Sequence, residues 1–439
     1  MLFRSVPGAP ITYWLSNHTV DLFNTEKKVS SFGNAKKGLS TGDNEKFIRL
    51  WYEVASKDCL LDSYEYRMPF KWIPLNKGGA FRKWYGNNEY VINWFDDGAE
   101  IKNYKGSVIR NPNYYFRESI TWTMLSASCF GVRYSQQGKV FEGAGPSLFV
   151  DKRNIYYLLA ALCSKTGDYF IRILNPTINI NINDVCNVPV ILSNEDKVNQ
   201  LSRENVGLSK TDWDSVETSW DFVEHPLVRW NKCLWDATAI GATMKYYYGY
   251  HPKVNSSLEL CYVLWQGECK ERFDKLKQNE EELNKIFIEI YGLQDELTPE
   301  IEDTDVTVRL ADKERDIKSL ISYLVGIVMG RYSLYRDGLQ YAGGEWDVLK
   351  YGEPFDDDGI IPIYSSLGME DSLTTKIIGL IKNIFGKDEY RGNIDFIADA
   401  LGKKNNESSE ETLNRYLNDS FYAPPQFVSR RSGFSITSI

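Results

Sequence analysis

Between Lys71 and Phe149 the chain alternates aromatic rings with Lys, Arg, Asn and Gly, as in NKGGAFRKWYGNNEYVINWF. Rings stack on bases, amides pair with base edges and long cations reach phosphate, so this mixture is equipment for reading a nucleic acid. Lys77, Arg82 and Lys83 flank Gly78, Gly79 and Gly86, where bare backbone lets a duplex come close. Asn87, Asn88 and Asn113 carry the bidentate amide that matches an adenine edge. Arg82 and Asn88 head this set, and Tyr85 and Arg133 are secondary members. The competing reading of each is a turn cap or a surface ion pair. For Trp72, Trp84, Trp94 and Trp122 it is the hydrophobic core.

Two shorter strings would also do chemistry if their setting were right. Phe141-Glu142-Gly143-Ala144-Gly145 has the FxGxG form of a loop whose glycines admit S-adenosylmethionine. Asn111-Pro112-Asn113-Tyr114 is one residue from NPPY, whose Asn side chain and Pro carbonyl accept from an adenine amine while the Tyr stacks on the flipped base. A doubly wound cofactor domain needs several strand–helix units of roughly 30 residues, with the glycine loop opening a helix. Only 26 residues separate Tyr114 from Phe141. Phe141, Gly143 and Gly145 therefore read as turn and packing residues, and no catalytic residue and no cofactor are expected on this chain. No GxxxxGK[ST], HExxH or GxSxG string is present.

Charge is unevenly spread. The 439 residues carry a formal net charge of −9, but residues 1–150 hold 19 Lys+Arg against 14 Asp+Glu, while the remaining 289 balance to −14. A uniformly basic nucleic-acid binder is excluded, and a basic face on an acidic body is not. Seven cysteines form no CxxC pair and His18, His225 and His251 are far apart, so no metal site is expected. The odd cysteine count and the lack of a secretory leader fit a reducing cytoplasm. The most apolar stretch, Ile317 to Tyr335, contains Lys318 and Arg331 and reads as a core helix, so no membrane span is expected.

Elements that would position these residues follow from periodicity. The spacing of Phe47, Leu50, Trp51 and Val54 predicts an amphipathic helix starting near Asp43 and Asn44. Short strands and turns follow, including Tyr90 to Phe95 and Ser107 to Ile109. A buried helix is expected over Ile155 to Ser164, then a strand from Asp168, a turn at Asn175-Pro176 and an alternating strand over Thr177 to Asp184. Residues 258–291 predict a long helix capped by Gly292, and further helices are expected around Ile317 to Val328, Ser372 to Phe385 and Glu407 to Asn418. Asp356, Asp357 and Asp358 read as solvated loop charge.

Several strings resemble one family. PGAPITYW (Pro7–Trp14), KGLSTGDNEKFIRLWYEV (Lys37–Val54), NKGGAFRKWYGNNEYVINWFDDGAEIKN (Asn76–Asn103), LNPTINININDVCNVPV (Leu174–Val190) and YLVGIVMGRYSLYRDGLQYAGGEWD (Tyr323–Asp347) resemble the carboxy-terminal half of adenine-specific DNA methyltransferases of the BREX phage-exclusion type, relatives of type IIG restriction-modification enzymes. In that family the amino-terminal half carries the cofactor pocket and NPPY loop. The part after PGxPxxYW supplies target recognition and helical packing. The resemblance implies a recognition half that grips double-stranded DNA beside a separate catalytic half using S-adenosylmethionine, with other phage-defence proteins as further partners. The end of the chain, SFYAPPQFVSRRSGFSITSI, departs from the family and implies truncation of the last helical domain.

The expected fold is α+β, a mixed-strand target-recognition domain followed by largely helical domains. Residues 1–70 form a helical lead-in, 71–192 the α+β DNA target-recognition domain and 193–230 a linker. Residues 231–300 form a helical spacer and 301–439 a mainly helical domain. Two other readings remain open: a protein-interaction module of a defence complex, and a permuted but active methyltransferase.

Overall fold

The computed structural model describes residues 7, 15–61, 70–125, 129–236, 257–343, 346, 347, 349, 360–364 and 367–421. His251, Asp356, Asp357, Asp358, nearly all of PGAPITYW and the chain after Phe421 lie outside them. The fold is α+β, with helices outweighing strands. The strands are β1 (Lys27–Lys28), β2 (Gly33–Lys36), β3 (Ile48–Leu50), β4 (Trp72–Asn76), β5 (Tyr90–Asn93), β6 (Ser119–Trp122), β7 (Val132–Ser135), β8 (Val140–Phe141), β9 (Ser147–Val150) and β10 (Pro189–Val190). One four-stranded sheet, ordered β2-β9-β6-β7, is antiparallel throughout. A second, β3-β5-β4-β8, is mixed because β8 runs parallel to β4, pairing Leu75 with Val140 and Asn76 with Phe141.

The chain divides into two units. The first comprises Met1–Trp51, Asp58–Trp213 and Arg272–Val308, and the second Tyr52–Lys57, Asp214–Glu271 and Arg309–Ile439. All ten strands belong to the first. Leu148, Ile120, Trp122 and Val132 of its antiparallel sheet pack with the Ile155–Cys163 helix and with Leu276, Leu283 and Phe287. Trp94, Phe141, Ile73 and Ile92 fill a smaller core against the mixed sheet. The second unit builds its core from helices Pro226–Asp236, Lys313–Val328, Leu373–Phe385, Tyr390–Ala400 and Ser409–Arg415, together with residues 258–271.

Long-range pairing explains where local periodicity misleads. Asp43 caps a helix, accepting from Lys46 N at 3.0 Å, but this helix lasts only from Asn44 to Phe47. Ile48, Arg49 and Leu50 then pair with β5 instead of continuing the expected helix, because β-branched Ile48 opposite Ile92 buries both on the sheet. From Lys165 to Leu174 the expected strand is a helix. Ser164 caps it by accepting from Gly167 N at 3.1 Å, and Phe170 and Ile171 turn inward. The expected strand over Thr177 to Asp184 is a loop leading into helix Ile182–Cys186, where Asp184 accepts from Asn181 N at 2.7 Å in a capping box. Val108 makes a bridge with Ser40 but no extended strand.

The helices read from apolar periodicity agree with the structure: Ile155–Cys163, Leu258–Tyr291, Lys313–Val328 and Leu373–Phe385. Ser372 is the cap of the last, and Gly292 follows Tyr291 with a positive φ. Tyr390–Ala400 is a helix that the sequence reading did not anticipate.

Candidate nucleic-acid interface

The KWYGN segment holds its place by contacts far along the chain. Trp84 donates its backbone N–H to Val132 O at 2.9 Å and accepts from Tyr134 N at 2.7 Å, so the segment lies against β7. Glu280, on the Leu258–Tyr291 helix, grips two neighbours at once: one carboxylate oxygen accepts from Lys83 Nζ at 2.9 Å and the other from Trp84 Nε1 at 2.5 Å. Lys83 is only 7% exposed. Burial pulls its pKa down, but the charge and hydrogen bond of Glu280 outweigh this and hold it above the ordinary lysine value.

Four more of the expected contacts are also occupied within the unit. Arg82 points its guanidinium at Asp212 (3.4 Å), at the Thr307 carbonyl (3.3 Å) and over the Trp213 ring (5.0 Å). Tyr85 is buried, with the Lys210 ammonium 5.3 Å from its ring centroid. Asn88 is buried and accepts from Lys139 Nζ at 2.6 Å. Arg133, 2% exposed on β7, reaches Thr123 Oγ1 at 3.4 Å; burial, then repulsion from Arg82, lowers its pKa to about 10. Lys83, Tyr85, Asn88 and Arg133 thus lie beneath the surface that the sequence reading placed them on, and Arg82 is half-buried with its guanidinium engaged. Lys77, Asn87 and Asn113 do reach solvent.

These supports carry a continuous lip where several loops meet. Thr123 Oγ1 donates to Gly79 O at 3.2 Å, and Met124 N donates to Ala144 O at 3.0 Å. Ile180 N donates to Met124 O at 2.8 Å, and Leu125 bridges Asn179. A Cβ on Gly145 would meet Asn76 O at 2.7 Å, so that glycine is what allows the loop after β8 to lie on β4. Gly78 and Gly79 adopt φ values of 99° and 147°. Only glycine takes these readily; Gly78 is buried, where a Cβ would meet Ala144 O at 2.9 Å, and Gly79 is the exposed bare backbone of the crest. Lys77 stands beside it, its ammonium 4.6 Å from the Tyr90 ring centroid, and Asn87 Nδ2 donates to Ala80 O at 2.9 Å.

One end of the lip is cationic. Segment 36–40 is tied on both sides: Leu39 N donates to Phe141 O (3.0 Å), Gly143 N to Leu39 O (2.9 Å), Ser40 N to Val108 O (2.9 Å) and Asn111 Nδ2 to Lys37 O (2.9 Å). Tyr114 then lies between two cations, with Lys36 Nζ 5.2 Å and Arg117 Cζ 5.3 Å from its ring centroid. Among the described residues, no carboxylate lies within ion-pair distance of Lys36, Lys37, Arg110 or Arg117. Exposed Asn113 sits among them. None of these four cations was singled out from the sequence, although Arg110 and Arg117 bracket the NPNY string and would have been found by looking either side of it.

The two strings that mimic a methyltransferase pocket meet here in a different role. FEGAG leads from β8 through a turn, with Gly145 N donating to Glu142 O at 3.1 Å, into strand β9 rather than a helix. Asn111 has a left-handed φ of 51°, and its side-chain amide is committed to Lys37 O. Glu142 is buried beside Lys77, and burial holds its carboxyl above the usual range, partly offset by the Lys77 charge and a hydrogen bond from Asn44. Among the described residues no cluster of three His, Cys, Asp or Glu could hold a metal, and no helix is long and apolar enough to cross a membrane.

The chain is similar to part of two adenine-specific methyltransferases. It is 39% identical over 434 residues to adenine-specific methyltransferase PglX of Lacticaseibacillus casei (strain Zhang), an overlap covering 96% of this chain and 34% of that protein. It is 32% identical over 455 residues to adenine-specific methyltransferase BrxX of Escherichia coli O9:H4 (strain HS), covering 96% of this chain and 35% of that one. The chain therefore spans about a third of the length of the curated relatives it matches. No family model matches it.

Proposed function

We propose that this chain recognises the DNA target for adenine-N6 methylation in a BREX-type phage-defence system, acting with a separate catalytic half. The observation that carries the reading is the set of cations without carboxylate partners among the described residues, Lys36, Lys37, Arg110 and Arg117, of which Lys36 and Arg117 flank the Tyr114 ring and Lys37 lies against Gly143. The cations hold phosphates, the crest admits a groove edge, and Lys77, Asn87 and Asn113 offer groups to base edges. Arg82, Lys83, Tyr85, Asn88 and Arg133 keep that surface rigid from beneath. The catalytic half supplies S-adenosylmethionine and the methyl transfer, and other phage-defence proteins complete the assembly.

A salt titration of DNA binding tests this reading. The expected slope of log K against log salt is steep, and it falls by about 0.9 for each phosphate contact removed by Lys36→Ala, Lys37→Ala, Arg110→Ala or Arg117→Ala. A folded chain with no affinity for duplex DNA at low salt, alone or with a methyltransferase half, overturns it. The −14 balance of residues 151–439 favours a second role in protein docking. Binding of defence proteins unaffected by charge removal at the lip would support that role instead.

A further inference from the structure

Arg133 is a buried charge left without an answering one. Lys83 has Glu280, Arg272 has Asp212 and Lys139 has Asn88, whereas Arg133, 2% exposed, makes one hydrogen bond, from Nη1 to Thr123 Oγ1 at 3.4 Å. Its Nε is buried with no acceptor, and among the described residues no carboxylate lies within ion-pair distance of it. Burial and repulsion from Arg82 both act against the charge, yet with a pKa of about 10 the guanidinium stays protonated at neutral pH. A cation buried without a partner destabilises the fold, and an apolar side chain of similar length would relieve it. A breach of this kind belongs to a site that uses it.

The surroundings of Arg133 withhold a partner systematically. Lys36, Ser147, Thr121 and Arg133 stand opposite one another on β2, β9, β6 and β7, so all four side chains leave the same face of the sheet. The position facing Arg133, where a carboxylate would have met it, holds Thr121, whose hydroxyl donates to Pro146 O at 2.9 Å. The row therefore has a cation at each end and hydroxyls between them.

The charge is directed at the crest. Thr123 Oγ1 accepts from Arg133 and donates to Gly79 O at 3.2 Å, so the guanidinium lies within two hydrogen-bond lengths of the exposed backbone at Gly79. Thr123 itself is half-buried and reaches solvent. The field of an unpaired charge in a low-dielectric interior is weakly screened and emerges where its cover is thinnest. At Gly79 no side chain holds an anion off.

We propose that a backbone phosphate of the duplex settles over Gly79 and Thr123 and supplies the negative partner that Arg133 lacks. The proposal rests on the DNA-recognition reading and adds to it a fixed anchoring point for one phosphate. Thr123 Oγ1 is the group that touches the phosphate, its hydrogen turning from Gly79 O to a phosphate oxygen while it goes on accepting from Arg133. Arg133 acts through it as a positioning residue.

The test measures duplex binding by the full 439-residue chain and by Arg133→Met between about 50 and 200 mM salt, and melts both without DNA. Arg133→Met is expected to bind about 10-fold more weakly at low salt, with a shallower salt slope, and to melt about 3 °C higher because an unpaired charge is gone. A guanidinium with a purely structural role predicts the opposite change in melting, so a variant that melts lower or does not fold overturns the proposal. A variant that folds and binds like the native chain overturns it too, while sparing DNA recognition. Thr123→Val, which keeps the shape and removes the hydroxyl, is expected to weaken binding about 5-fold, and undiminished binding overturns the assigned contact. Inorganic phosphate separates the two sources of the anion: if it raises the native melting temperature while Arg133→Met keeps native duplex affinity, the site serves free phosphate and the duplex assignment falls. No duplex binding by the native chain at low salt overturns the recognition reading itself.

Discussion

The sheet-bearing unit keeps Lys83, Arg133, Lys139, Glu142, Asp212, Arg272 and Glu280 inside, while the helical unit, among the described residues, buries Ile317, Leu320, Ile321, Leu324, Ile377, Ile381 and Ile397 around Asp316 and neutral His225. The first interior is directional: Glu280 reaches Lys83 and Trp84, Asp212 reaches Arg82 and Arg272, and Lys139 reaches Asn88. The second rests more on area and close fit, its directional contacts being mainly single hydrogen bonds such as Trp265 Nε1 to Asp316 and Asn231 Nδ2 to Ile384 O. Buried ion pairs are poor sources of net stability compared with hydrocarbon, but breaking one is costly. A surface that must hold cations and glycines in register gains from an interior that permits one arrangement. A helical scaffold has no such need.

The comparison breaks most severely at Glu280. Glu280→Ala strands the Lys83 ammonium and the Trp84 indole N–H, and the expected loss in urea unfolding is about 3–5 kcal/mol. A loss below about 1 kcal/mol would mean that the charged interior holds little. In the helical unit Leu324, fully buried, should cost about 3 kcal/mol when truncated to Ala, with no effect on DNA binding.

Acid should separate the two interiors next. His225 accepts from Leu227 N through Nδ1 at 3.3 Å, and burial drives its pKa down to about 3, a hydrogen bond to the Asp316 backbone opposing this. Its unfolded form takes up a proton near pH 6.5 and the folded form resists until near pH 3, so the helical unit loses stability as pH falls across that window. The loss is on the order of 3 kcal/mol by pH 4. Thermal melts of His225→Gln should lose that slope, and an unchanged slope would rule His225 out as its source. The smallest stability effect is expected at the lip. Lys36→Ala and Arg117→Ala should shift unfolding by less than about 0.5 kcal/mol while reducing the salt slope of DNA binding.

How much could be read beforehand depended on the range of the interactions. Leu258–Tyr291 and Lys313–Val328 were legible because their apolar residues repeat at helical spacing, and burial of Trp84, Trp94 and Trp122 followed from residue type alone. The break at Ile48 was not, because its cause, β5, lies some forty residues on. Ser164 as a cap was a local signal passed over in favour of the apolar run after Asp168. Within the candidate interface, Arg82, Lys83 and Asn88 have the residue types of a contact surface, but their partners Asp212, Glu280 and Lys139 cannot be inferred from spacing. Arg117 is local to Tyr114, but Lys36 reaches that ring only because β2 pairs with β9 far along the chain.

The tethering of segment 36–40 also bears on the speed of encounter. Its backbone is anchored to Phe141, Gly143, Val108 and Asn111 before any ligand arrives. Amide protons along it should exchange slowly with deuterium, and little chain entropy is left to lose when a polyanion lands. Capture at this edge should then be governed by diffusion and ionic strength, with no lag for a loop to organise itself.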